Sequence, residues 1–167
     1  MRRAEQPFFV VIPARFASTR LPGKPLADIG GLPMIVRVAR QAAASGAGEV
    51  VIATDDERVR AVVRDHGLDA MLTRADHQSG SDRVMEVVTA KDWPDEAIVI
   101  NVQGDEPLIP PTVIVQVAKL LADHPDVLVS TLCEAIAEPT LLFDPNVVKV
   151  VTDHAGKLIC RQQELLR

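Results

Sequence analysis

A regular alternation of short apolar runs with helix-periodic stretches constrains the fold more than any other feature of the sequence. Six apolar runs predict strands, at Phe8–Ala14, Glu49–Thr54, Leu68–Thr73, Ala97–Val102, Val127–Leu132 and Val147–Thr152. Four stretches with helical spacing predict helices, at Pro33–Ser45, Asp56–His66, Gly80–Lys91 and Pro110–Asp123. Because the apolar runs are nearly continuous and helices separate them, we predict an α/β fold, with a mainly parallel sheet that helices cover on both faces.

The chain length and the helix ends support this organisation. One domain over residues 1–167 can bury a sizeable core, and no linker, repeat or low-complexity tract divides it. Gly46 and Gly67 follow the first two predicted helices, where glycine often ends a helix. Ser81 or Asp82 is expected to cap the third helix.

Charge is distributed unevenly along the sequence. The net charge is −5, but residues 1–40 hold seven basic and two acidic side chains, a local charge of +5. A basic excess in an acidic chain is typical of a site for a small anion, and ordinary solvated charge explains it equally well. Aromatic residues make up 3% of the sequence, which argues against a nucleic-acid binder that stacks bases on aromatic side chains.

Nothing in the sequence predicts a membrane or secreted protein. No apolar stretch approaches the ~18 residues of a membrane span, and the run after Pro7 is too short for a signal peptide. Cys133 and Cys160 lie far apart without metal-type spacing, as expected for thiols in a reducing compartment. We therefore expect a cytoplasmic protein whose partners are neither a membrane nor a nucleic acid.

The segment Pro13–Pro25 (PARFASTRLPGKP) directly follows the first predicted strand and holds three cations, two hydroxyls and one glycine. Guanidinium forks, hydroxyls and backbone N–H groups bind phosphate oxygens, so the segment predicts a triphosphate loop. It is not a P-loop, because the first glycine of that motif would fall at Ser18 and Lys24 is followed by Pro25. A solvated basic surface loop is the alternative.

The segment Asn101–Pro107 (NVQGDEP) carries two carboxylates at the carboxyl end of a buried strand. Mg²⁺ takes one or two carboxylates and shares phosphate oxygens with its substrate. Asp105 is the predicted ligand, and Glu106 is expected to point away or to support the loop. Acidic residues are also common in turns for capping reasons, which is the alternative interpretation.

The segment Thr73–Arg83 is a dense polar loop that leads into a predicted helix, whose N-terminus can attract anions or hydroxyls. His77 is expected to form hydrogen bonds or to lie on the surface. No Ser–His–Asp triad can be assembled from the sequence, and the scattered histidines form no zinc-type cluster.

Four segments, taken together and in order, resemble those of the CMP-KDO synthetases, where KDO is 3-deoxy-manno-octulosonate. They are Pro13–Leu26, Thr73–Arg83, Val102–Pro107 and Asp144–Val151, and the resemblance runs over about residues 8–158. It implies a Rossmann-like nucleotidyltransferase fold. It also implies Mg²⁺ as cofactor and the reaction of CTP with KDO to give CMP-KDO and pyrophosphate, for lipopolysaccharide biosynthesis.

The resemblance further implies the roles of individual residues. Triphosphate contacts are implied for Arg15, Ser18, Arg20 and Lys24. Cytidine contacts are implied for Ala14, Arg15, Thr73, Arg74, Ser79 and Gly80. Gln103 would contact the sugar and Asp105 would bind Mg²⁺, while Arg15, Lys24 and the metal would carry the catalysis.

The sequence departs from the family pattern after a strand like Lys157–Ile159. Family members continue with KDO-binding residues, a further metal-binding Asp and most of the surface of a homodimer, whereas here the sequence reads CRQQELLR to Arg167. We therefore expect the sugar-binding and dimerisation part to be missing, and slow turnover or none from these 167 residues. The alternatives are a CTP-binding fragment without activity and a cytidylyltransferase for another sugar acid.

Overall fold

A computed structural model describes residues 7–17 and 21–162. The chain divides into two compact units, Met1–Ser130 and Thr131–Arg167. The prediction of a single domain over residues 1–167 stays a prediction.

In its described residues, the first unit contains four α-helices and four strands that alternate along the chain. The strands are β1 (Phe8–Ala14), β2 (Glu49–Thr54), β3 (Asp69–Leu72) and β4 (Ile98–Asn101). The helices are α1 (Met34–Ala44), α2 (Glu57–Asp65), α3 (Gly80–Ala90) and α4 (Pro111–Asp123). The strands form one sheet in the order β3-β2-β1-β4, and all three pairings are parallel. The predicted α/β fold is confirmed.

The central strand β1 explains why helices lie on both faces of the sheet. Val10, Val11 and Ile12 are fully buried, and successive side chains of a strand point to opposite faces. Val10 and Ile12 belong to a core cluster with residues of α1, α2 and α4. Val11 belongs to a second cluster with Val84 and Val87 of α3. The apolar run therefore requires cover on both sides.

The cap of α3 differs from the predicted one. Ser79, and neither Ser81 nor Asp82, occupies the N-cap position, and its hydroxyl accepts a hydrogen bond from the Asp82 amide. The Asp82 carboxylate in turn accepts from the Ser79 amide, at 2.9 Å, which completes a capping box. Hydrogen bonds from the Ser79 hydroxyl and amide hold the pKa of Asp82 below its usual value.

The predicted strand Val127–Leu132 is wrong, because the structure has no strand there. A strand needs a neighbour for its N–H and C=O groups. Among the described strands, β4 pairs with β1 alone. Leu128 and Val129 are 91% and 76% exposed, so an apolar sequence has not produced burial at this position.

The second unit contains an antiparallel pair of strands, β5 (Lys149–Thr152) and β6 (Leu158–Gln162). The Asp153 carboxylate accepts hydrogen bonds from the Ala155 and Lys157 amides, which stabilises the turn between them. The predicted strand Val147–Thr152 is confirmed with a later start. Over the described ranges of the chain, no helix is long and apolar enough to cross a membrane.

Candidate active site

A cavity of about 340 Å³ lies at the carboxyl ends of β1 and β4. Its lining residues come from the end of β1, from the loop that follows, from α1 and from the turn after β4, and they are Pro13, Ala14, Arg15, Ala17, Lys24, Pro25, Met34, Gln103, Gly104 and Asp105. Ligands of open parallel sheets bind at this edge. The cavity thus brings together five of the residues that the sequence predicted for the site.

The loop after β1 folds back on its own beginning. The Gly23 amide donates to the Phe16 carbonyl at 3.0 Å, and Gly23 has a φ of 73°, which glycine adopts without strain. The Phe16 amide donates to Asp55 Oδ1 at 3.2 Å. These two contacts fix both ends of the loop and bring Lys24 to the cavity. The predicted contacts Ser18 and Arg20 lie outside the described residues.

Lys24 and Asp105 form an ion pair, with 2.7 Å between Lys24 Nζ and Asp105 Oδ2. Their side chains are 37% and 51% exposed, so water screens the pair. Exposed ion pairs contribute about 0–1 kcal/mol to stability. The two charges are therefore held at the cavity by a contact that a ligand can replace at little cost.

Gly104 allows the turn after β4 to approach β1 closely. A Cβ atom at this position would lie 2.8 Å from the Pro13 carbonyl oxygen, closer than real Cβ contacts. The Val102 amide also donates to the Val11 carbonyl, at 3.1 Å. The backbone of β1 and the turn after β4 are thus in direct contact, and a residue with a Cβ atom does not fit at position 104.

Replacing Gly104 by alanine is expected to destabilise the protein by about 1–3 kcal/mol, because the new methyl group overpacks against fixed backbone. Urea unfolding measures this change. Gly48→Ala is the matched control, since its Cβ would meet its nearest atom at an ordinary 3.6 Å. Equal stability of the two variants would contradict the steric interpretation.

Arg15 connects the cavity to the loop before α3. Its Nη2 donates to the His77 carbonyl at 2.9 Å. The Glu86 carboxylate of α3 accepts from the Arg74 amide at 3.0 Å and contacts Nε2 of His77. Burial alone raises the pKa of Glu86, but the contacts with His77 and the Arg74 amide outweigh burial and leave the pKa below its usual value.

A buried arginine lies beneath this loop. The Arg83 side chain is fully buried, and it donates to Asp55 Oδ2 at 3.0 Å and to the Thr73 hydroxyl. The Thr73 hydroxyl donates in turn to the Thr54 carbonyl at 3.1 Å. Burial lowers the pKa of Arg83, and the Asp55 carboxylate opposes that shift. Asp55 therefore links α3 to the loop after β1, because its other oxygen accepts from the Phe16 amide.

The four residues predicted for cytidine from this loop, Thr73, Arg74, Ser79 and Gly80, are not among the residues that line the cavity. The Thr73 hydroxyl is engaged internally, and Ser79 caps α3. The Arg74 guanidinium forms a bidentate pair with Asp76, at 2.9 and 2.5 Å. Gly80 adjoins the cavity wall, since a Cβ there would lie 3.6 Å from Pro13.

The sequence interpretation did not single out Asp55, Arg83 and Glu86. For Arg83 the sequence does hold a signal. It lies four residues before Val87 and therefore on the same, apolar side of α3. A charged residue on a face predicted to be buried requires a buried partner.

The parallel sheet with the cavity at its carboxyl edge has the α/β nucleotidyltransferase fold of a solved structure that it matches closely. A sequence model described as cytidylyltransferase matches residues 9–166, and the chain belongs to that family.

Individual relatives agree with this assignment. The chain is 53% identical over 147 residues to a 3-deoxy-manno-octulosonate cytidylyltransferase of Nitrosococcus oceani, covering 88% of this chain and 57% of the relative. A solved structure of CMP:2-keto-3-deoxy-manno-octonic acid synthetase complexed with CTP is 42% identical, with a TM-score of 0.87 over 95% of this chain and 64% of the other. A cytidylyltransferase from Leptospira borgpetersenii shares the fold at 20% identity, with a TM-score of 0.58 over 71% of this chain and 50% of the other. The resemblance to the CMP-KDO synthetases is confirmed. The chain spans only part of the length of each of these relatives.

Proposed function

We propose that this chain binds CTP with Mg²⁺ and supplies the nucleotide site of an enzyme that transfers CMP to KDO. The observation that carries the proposal is the cavity, where Arg15, Lys24 and Asp105 converge at the carboxyl edge of the sheet. The relatives at 53% and 42% identity, a KDO cytidylyltransferase and a CMP-KDO synthetase complexed with CTP, support the same nucleotide and acceptor.

The two cations suit a triphosphate. The planar guanidinium of Arg15 can bind two phosphate oxygens at once, and the ammonium group of Lys24, near the other end of the same loop, offers a compact positive charge. A volume of about 340 Å³ is at the lower end of the range for small-molecule sites. Ser18 and Arg20 would add donors from the same loop.

Asp105 fits Mg²⁺ because of the chemistry of its surroundings. In the part of the chain that the structure describes, no three His, Cys, Asp or Glu residues cluster as a protein-only metal site. Mg²⁺ does not need such a cluster, since it is commonly held by one or two carboxylates, substrate phosphates and water. When bound, it would neutralise phosphate charge beside Asp105.

The ion pair between Lys24 and Asp105 prepares both groups for the ligand. On binding of CTP, Lys24 would turn to a phosphate oxygen and Asp105 to the cation. The exchange costs little because the pair is half exposed and weak. The site keeps both charges at the cavity before the ligand arrives.

The proposed transfer is a displacement at the α-phosphorus. The anomeric oxygen of KDO forms a bond to phosphorus, the bond to the β-phosphate oxygen breaks, and the hydroxyl proton leaves to solvent. Such steps depend mainly on positioning and charge neutralisation. Arg15 and Lys24 would hold the phosphates and offset the charge that develops on pyrophosphate.

The remaining contacts are proposals from the family pattern. Gln103 lines the cavity and would contact the sugar. The cytidine contacts would come from Ala14, Arg15, Thr73, Arg74, Ser79 and Gly80. Of these, Ala14 and Arg15 line the cavity, and the others would act through the adjoining loop.

Calorimetry with CTP and ATP tests the nucleotide, and CTP is expected to bind more tightly in the presence of Mg²⁺. Equal affinity for both nucleotides would contradict a cytidine site. Pyrophosphate release with CTP, Mg²⁺ and KDO tests the acceptor, with sialic acid as the comparison. Faster release with sialic acid than with KDO would favour another sugar acid.

Asp105→Asn is expected to abolish the tightening of CTP binding by Mg²⁺, because the amide keeps the shape but removes the charge that a hard cation needs. Calorimetric titration of CTP with and without Mg²⁺ measures the effect. Glu106→Gln is the matched control, and it should respond to Mg²⁺ as the wild type does. If Asp105→Asn also responds normally, Asp105 is not the ligand.

A further inference from the structure

We propose that Glu86 is a positioning residue for Arg15. It fixes the loop between Arg74 and Ser79 so that the His77 carbonyl holds the Arg15 guanidinium at the cavity. We call this series of contacts, from Glu86 through the loop to Arg15, the relay. Its expected effect on CTP binding rests on the function proposed above, whereas the contacts are features of the structure.

The first link joins Arg15 to the loop. Arg15 and His77 are 62 residues apart in sequence, and the His77 carbonyl accepts from Arg15 Nη2 at 2.9 Å. A guanidinium is planar and carries five donors. One fixed acceptor therefore restricts where the group can lie, and Arg15 is among the residues that line the cavity.

The second link holds the loop in place. The segment between β3 and α3 has no regular structure that would fix its carbonyls. Glu86 contacts the loop at two points, since its carboxylate accepts from the Arg74 amide at 3.0 and 3.3 Å and contacts His77 Nε2. The Glu86 and His77 side chains are 28% and 13% exposed, so both are partly withdrawn from water.

The third link is the helix α3, which holds Glu86 in position. Glu86 lies on α3, which begins at the Ser79–Asp82 capping box and packs against the sheet through Val84 and Val87. The helix backbone that carries the Glu86 side chain is thus held in place. The Arg74 guanidinium is paired with Asp76, so the loop contacts Glu86 through its backbone at this point.

Glu86→Gln tests the relay, because the amide keeps the size of the side chain but removes the negative charge that strengthens both contacts. The CTP dissociation constant is expected to rise about fivefold, the size of one net hydrogen bond. In an Arg15→Ala background the same substitution is expected to weaken CTP binding clearly less, because the part of its effect that passes through Arg15 is then absent. Glu57→Gln, which removes a carboxylate paired with Arg60 on α2, is the matched control.

A second readout does not depend on CTP. The NMR resonance of the Arg15 guanidinium, assigned with Arg15→Lys, is expected to shift or broaden in Glu86→Gln but not in Glu57→Gln. An unchanged Arg15 resonance would overturn the relay. A loss of CTP affinity that is equal with and without Arg15 would also overturn it, since Glu86 would then act independently. If the wild type does not bind CTP, the nucleotide proposal fails and the resonance alone decides the relay.

Discussion

Arg83→Met is expected to destabilise the protein by about 3–5 kcal/mol, because removing one partner of a buried ion pair leaves the other charge without compensation. The Arg83 side chain is fully buried, and its partner Asp55 is 12% exposed. Methionine keeps most of the volume, so a cavity does not explain the loss. Urea unfolding measures the free energy of unfolding.

Arg60→Met provides the control for Arg83→Met. Arg60 pairs with Glu57 three residues earlier on α2, and the Glu57 side chain is 60% exposed. Such a surface pair contributes at most about 1 kcal/mol. A similar loss of stability in both variants would contradict the assignment of a buried pair between α3 and the loop after β1.

Lys24→Ala is expected to weaken CTP binding by about 1.5–3 kcal/mol, roughly one to two powers of ten in affinity, through loss of a charge-assisted contact to phosphate. The stability of the fold should change by less than about 1 kcal/mol, because the partner contact of Lys24 is exposed. Calorimetry with CTP and Mg²⁺ measures the affinity.

Lys119→Ala is the control for Lys24→Ala, since it removes the same charge from an exposed position on α4. Its CTP affinity should equal that of the wild type. If Lys24→Ala and Lys119→Ala bind CTP equally well, Lys24 contributes only to the general charge of the chain.

The sheet could be predicted from the sequence because burial on both faces leaves a plain pattern. Phe8–Ala14 was predicted with the bounds that the structure has, and Ala97–Val102 encloses β4. Val127–Leu132 has similar apolar content and is not a strand. Pairing of a strand depends on a neighbour, which the segment's own residues do not specify.

The cavity could also be predicted in part, because the ends of parallel strands meet at one edge. Arg15, Lys24 and Asp105 each follow a strand end, and the structure brings them together. The contact between Lys24 and Asp105, 81 residues apart, was not predicted. The sequence analysis assigned Lys24 to the triphosphate and Asp105 to Mg²⁺, and in the structure the two opposite charges pair with each other.

The polar network around the loop before α3 was not predicted from the sequence. Asp55 and Arg83 are 28 residues apart, and their pairing depends on how α3 packs against the sheet. The S-x-x-D pattern of Ser79 and Asp82, in contrast, was a local signal for the capping box. Local pairs can be found from spacing, whereas pairs between elements require the fold.

A crystal structure of the protein with CTP and Mn²⁺ in place of Mg²⁺ locates the nucleotide most directly. The proposal predicts triphosphate oxygens within hydrogen-bond distance of Arg15 and Lys24, and an anomalous manganese peak beside the Asp105 carboxylate. A nucleotide bound elsewhere, with the ion pair between Lys24 and Asp105 intact, would contradict it.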